Sequence, residues 1–90
     1  MVVKIRFFAW LREKIGMNSI EMSYSGSLQG LLNELKRYLK KKADVIFEDS
    51  SLKGDVLISV NNKLIPIKKL KDFNVKDGDV IDIFPMGIGG

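Results

Sequence analysis

Three of the last five residues, Met86-Gly87-Ile88-Gly89-Gly90, are glycines, and the reactive group at their end is a backbone carboxylate. Glycine costs the most entropy to order and offers no side chain to pack, so residues 86–90 are expected to project from the body as a mobile arm. Fully extended, five residues reach at most about 16–18 Å. Such an arm delivers a carboxylate into a partner's buried pocket, through a channel too narrow for Cβ atoms and close to a nucleotide phosphate. A frayed end is the ordinary fate of last residues. At average glycine usage a Gly-Gly end arises by chance in about one chain in 200, so the tail gains weight only together with the body that presents it.

The rest of the chain offers little competing chemistry. Cys and His are both absent. That excludes disulfides, thiolate metal sites and a cysteine nucleophile, and removes the commonest general base and transition-metal ligand. The acidic residues form no spaced calcium-binding loop, so no metal site and no bound cofactor are expected. The start, Met1 to Phe8, alternates with charges and lacks the uninterrupted apolar segment of a signal peptide. No stretch approaches the length that spans a bilayer. A cytoplasmic protein with no membrane partner is the expectation.

The net charge is +4, with cations grouped in Lys36-Arg37, Lys40-Lys41-Lys42 and Lys68-Lys69…Lys71. The first group falls at the end of an expected helix, where cations complement the macrodipole. A solvated face or protein docking is favoured over nucleic acid, because the aromatics do not interleave with the lysines as a base-stacking surface requires. An RNA-binding module is the rival from another class. RNA binding by a tailless chain separates it from a protein that works through its tail.

Stepping along the 90 residues, one domain with one core is expected. Val3, Ile5 and Phe7 alternate with Lys4, Arg6 and Phe8 as a strand. Ala9 to Ile15 makes a short helical turn stopped by Gly16, and Ile20, Met22 and Tyr24 give one face of a second strand. Ser27 is placed to cap a helix carrying Leu28, Leu31, Leu32, Leu35 and Leu39 on one stripe. Ala43 to Gly54 has no clean period and is expected as an irregular excursion, with Val45, Ile46 and Phe47 turned to the core. Val56, Ile58 and Val60 form a third strand, turned by Asn61-Asn62 into a short fourth strand at Leu64-Ile65 that Pro66 ends. Lys76-Asp77-Gly78-Asp79 signals a turn into a last strand, Val80 to Phe84, closed by Pro85. The order β-β-α-β-β-β predicts an α+β fold, a β-grasp or ubiquitin-like arrangement. In it a mixed four- to five-stranded sheet packs on one main helix, with residues 1–85 as the domain and 86–90 as its tail.

Phe7-Phe8-Ala9-Trp10-Leu11-Arg12-Glu13 with Gly16, Val60-Asn61-Asn62, Lys76-Asp77-Gly78-Asp79, and Phe84-Pro85 before Gly89-Gly90 together resemble the MoaD/ThiS family of sulfur carriers, in particular its molybdopterin-synthase small-subunit branch. The resemblance implies that an E1-like adenylating enzyme uses ATP to activate the Gly90 carboxylate. A persulfide-type donor then displaces AMP and leaves a thiocarboxylate. In that branch the large subunit of molybdopterin synthase binds the tail and transfers its sulfur to a pterin precursor of the molybdenum or tungsten cofactor. The chain by itself is expected to be a non-catalytic, sulfur-donating subunit. Related carriers serve tRNA thiolation or thiamin synthesis, or are joined to lysines as protein modifiers. Where members commonly carry Pro-Pro before the last four residues, this chain has Pro85-Met86.

Alternation also turns Phe8 and Phe84 away from the helix, and Leu64 is expected to join them in an apolar patch near the tail's root. These three match the family's partner surface, and Arg12 is a candidate for steering an acidic partner.

Overall fold

The computed structural model describes residues 2–49 and 51–87. Strand β1 (Val2–Phe7) leads into helix α1 (Ala9–Ile15), then strands β2 (Ser19–Ser23) and β3 (Gly26–Ser27). The long helix α2 (Leu28–Leu39) continues into a 3-10 helix, Lys40–Val45, and a hairpin of β4 (Phe47–Glu48) and β5 (Ser51–Leu52). There follow β6 (Val56–Val60), β7 (Lys63–Leu64), a 3-10 turn at Ile67–Lys69, β8 (Asn74–Val75) and β9 (Val80–Pro85).

The main sheet runs β2-β1-β9-β6-β7. Its centre is mixed: β1 and β9 pair in parallel, while β9 and β6 pair antiparallel. This is the ubiquitin-like β-grasp, five strands wrapped over α2. Val3, Ile5 and Phe7 of β1, Ile81 and Ile83 of β9, and Val56, Ile58 and Val60 of β6 are all buried against the helix stripe Leu28, Leu31, Leu32, Leu35 and Leu39. Period two meets period 3.6 across one apolar layer.

Ser27 caps α2 as its type and position require. Its backbone is extended and its Oγ accepts the Gly30 N–H at 3.0 Å. Ser27→Ala should lower unfolding stability by about 1 kcal/mol, read as a lower urea midpoint with an unchanged slope. The Asn61-Asn62 turn is equally local in origin, with both residues at positive φ, 51° and 73°.

Several details differ from the sequence pattern. Ala9–Ile15 is a seven-residue helix rather than a turn, because Leu11 and Ile15 bury one side of it under the sheet's end. Tyr24 lies beyond β2, and its hydroxyl donates to the Ser27 carbonyl at 2.8 Å. The Ala43–Gly54 excursion holds a 3-10 turn and a hairpin, with Ile46, Phe47 and Leu52 buried and Val45 packed on the core. Ile65 is buried just after β7 rather than within it, and Pro85 is the last residue of β9. The two-residue pairing of β3 with β8 has too few residues to show a period.

Candidate functional site

The tail leaves from the middle of the sheet. With β1 on one side and β6 on the other, β9 is held along its length by two ladders. The β6 ladder continues one residue past Pro85, where the Met86 N–H donates to the Asp55 carbonyl at 2.7 Å. The first residue of the expected arm is thus tied to the body. Gly87 follows at φ +94°, a region that L side chains rarely adopt, and a Cβ built there meets nothing within 4 Å. Ile88, Gly89 and Gly90, with the carboxylate expected to be activated, lie outside the described residues.

The face of the sheet turned away from α2 carries the expected docking residues. Register alone sets out one row across it: Ser19 opposite Arg6, Arg6 beside Asp82, Asp82 opposite Ser59, Ser59 opposite Leu64. A neighbouring row holds Phe84 opposite Leu57. Phe8 caps the start of α1 in extended backbone, one residue beyond the Phe7–Ile83 pair, so it stands level with Phe84. Phe8 and Phe84 are half-buried, and Leu64 is exposed. The fold therefore brings Phe8, Leu64 and Phe84 onto one face near the strand end that bears the tail. Arg12 is exposed on α1, outside the strand rows, and its carbonyl accepts the Gly16 N–H that ends the helix.

At the centre of this face lies an ion pair. Arg6 Nε donates to Asp82 Oδ1 at 2.6 Å and Arg6 Nη2 to Asp82 Oδ2 at 2.7 Å, a two-pronged match of guanidinium and carboxylate. The Arg6 side chain is 41% exposed and that of Asp82 only 10%. Hydrogen bonding to Asp82, then its charge, raise the Arg6 pKa above the ordinary value. Paired with the Asp82 carboxylate, the raised guanidinium contributes stability that is lost as the pH rises through its folded pKa, in strong base. The guanidinium also lies 5.3 Å from the centre of the Phe8 ring. The carboxylate is thus paired within the sheet, and the apolar groups on this face available to a partner are Phe8, Leu57, Leu64 and Phe84.

Leu57 was legible by the same alternation that turns Phe84 outward, since it falls out of phase with Val56, Ile58 and Val60. The Arg6–Asp82 pair was not legible, because it depends on the parallel register of the first and last strands. Among the described residues, no group of three or more His, Cys, Asp or Glu could hold a metal ion, and no helix is long and apolar enough to cross a membrane.

A family model described as the ThiS family matches residues 5–90. Among solved structures, the small archaeal modifier protein 1 from Methanosarcina acetivorans is 30% identical over 99% of this chain and 96% of its own, with a TM-score of 0.78. A putative molybdopterin converting factor, subunit 1, from Pyrococcus furiosus is 28% identical over 96% of this chain and 98% of its own, with a TM-score of 0.73. The BexX/CysO complex of Amycolatopsis orientalis contains a chain with the same fold, at 20% identity, 98% and 99% coverage and a TM-score of 0.75. No curated protein matches the sequence.

Proposed function

Because the chain belongs to the ThiS family of ubiquitin-like sulfur carriers, we propose that its Gly90 carboxylate is the working group, converted to a thiocarboxylate by a partner enzyme. The observation that supports this most directly is the family match running through Gly89-Gly90, on a body whose central strand ends at Pro85, just before the tail.

The chemistry requires a separate activating enzyme. A carboxylate resists attack until one oxygen becomes part of a leaving group. An adenylating enzyme supplies that step: the Gly90 carboxylate attacks the α-phosphate of ATP, and pyrophosphate departs. A persulfide then attacks the acyl carbon, and AMP leaves with its electron pair. A thiol cleaves the resulting acyl disulfide, being oxidised to a disulfide as the thiocarboxylate is released. No side chain of this protein acts in these steps, which accords with its lack of Cys and His.

The acceptor we propose is a molybdopterin precursor bound by a large synthase subunit, a reading supported by the Pyrococcus furiosus molybdopterin converting factor, subunit 1. The apolar face of Phe8, Leu57, Leu64 and Phe84 would dock that subunit while residues 86–90 enter its pocket. A second reading, attachment to lysines as a modifier, is supported by the Methanosarcina acetivorans modifier protein. Both need the same activation.

Intact mass spectrometry of protein isolated from its own cells tests the carrier reading: replacement of oxygen by sulfur should add about 16 Da. An unshifted mass in cells actively making the cofactor would count against the carrier reading. Isopeptide-linked adducts without the sulfur species would favour the modifier.

A further inference from the structure

Beside the root of the tail lies an apolar cleft of about 500 Å³, walled in part by Leu57 of β6, Leu64 of β7, Ile67 and Met86. Leu64, Ile67 and Met86 are exposed to 55%, 54% and 59%, although each is a large apolar side chain. Apolar surface gathered in this way marks an interaction site more often than scattered exposure does. The cleft has a structural cause. Strand β7 pairs only with Ser59 and Val60, so Val56 and Leu57 at the start of β6 have no strand neighbour on that side among the described residues. The space left lies open beside this unpaired strand edge, the kind of place where an extended peptide segment docks.

Of the charged residues lining this cleft and the cavity next to it, three are lysines and one is an aspartate. Lys68 stands in its wall. A second cavity, about 440 Å³, shares Leu64, Ile65 and Pro66 with the first and is rimmed by Lys63 and Lys69, with Asp72 the one carboxylate there. The ion pairs among the described residues are Arg6–Asp82 and Arg37–Glu34, and none of the three lysines takes part in them. An apolar slot fringed by ammonium groups complements an apolar side chain fringed by carboxylates.

We propose that this cleft seats a short extended segment of a partner protein, with one or two large apolar side chains flanked by Asp or Glu. The apolar side chain fills the space between Leu57, Ile67 and Met86, and the flanking carboxylates meet Lys63, Lys68 and Lys69. The proposal goes beyond the carrier reading, since the Gly90 carboxylate takes no part in it.

The test is a titration of the full-length protein with a synthetic acidic peptide carrying a central Leu-Leu pair, followed through the methyl resonances of Leu57, Leu64, Ile67 and Met86. Saturable shifts at Ile67 and Met86 are expected, with no comparable response to the same peptide carrying lysines in place of its carboxylates. Ile67→Asp should weaken binding at least about tenfold, since it puts a charge where an apolar group must be buried. Its fold is checked by an unchanged amide spectrum, and the exposure of Ile67 favours that outcome. Lys68→Glu should weaken binding several-fold, more at low salt. Lys76→Glu makes the same change of net charge in the turn before β9, at the far end of that strand, and should leave affinity within about twofold. Equal binding of the lysine peptide, or undiminished shifts in Ile67→Asp, would overturn the proposal. Cleft shifts that grow with protein concentration alone would assign the site to a second copy. The peptide's shift pattern reproduced, with reversed sign, on deleting residues 88–90 would assign it to the chain's own tail. Either result rejects the partner segment.

Discussion

A chain shortened to end at Ile88 forms no detectable acyl-adenylate with the activating enzyme, measured as ATP–pyrophosphate exchange. The shortened chain still has a carboxylate, so the loss comes from reach and shape. Two residues fewer draw the reacting atom back by about 7 Å. A misplacement of about 1 Å can already cost roughly a hundredfold in rate, so a shift of this size takes activation below detection. The new end also carries a β-branched side chain where the full chain has an unencumbered glycine. Thermal unfolding should be unaffected, because the backbone tie between tail and body among the described residues, Met86 to Asp55, is retained. A full-length chain whose Gly90 ends in an amide should be equally inert, since the amide has no carboxylate oxygen to attack phosphorus. Exchange at the full-length rate by either variant would defeat the assignment of Gly90.

Phe84→Ala should lower affinity for the docking subunit by about 2 kcal/mol or more, roughly thirtyfold, because a half-buried aromatic grouped with other apolar side chains is the kind of residue that dominates an interface. Phe84 points away from α2, opposite Leu57 and level with Phe8, while the core side of β9 is carried by Ile81 and Ile83. Its loss should therefore cost folding less than about 1 kcal/mol, within the range of substitutions away from a core. Binding by calorimetry and unfolding by urea on the same preparation separate the two effects. An unfolding loss equal to the binding loss, or affinity that does not move, would place Phe84 in the scaffold instead of the interface.

What could be read in advance follows a physical division. The helix stripe from Leu28 to Leu39, the Ser27 cap and the Asn61-Asn62 turn are decided by neighbours a few residues apart, and each appears where local chemistry puts it. Phe84 and Leu64 fall on the face that period-two alternation assigns them. The β3–β8 and β4–β5 ribbons are two residues long, too short for any periodic signal, and the partners in β3–β8 are also far apart in sequence. Arg6 and Asp82 are 76 positions apart, and only the parallel pairing of β1 with β9 makes them partners. The cleft at Ile67 was hidden for a related reason. It arises from the shortness of β7 relative to β6, and pairing lengths are not written in either strand alone.

The central position of β9 has a consequence for biosynthesis. Without it β1 and β2 form one ribbon and β6 and β7 another, with no strand pairing between the two among the described residues. Nascent chain on the ribosome therefore cannot close the sheet until β9 has left the exit tunnel, and the glycines that follow it emerge later still. Prematurely terminated products that lack β9 have neither a finished main sheet nor Gly89 and Gly90, so the order of translation couples a complete sheet to the terminus proposed for activation.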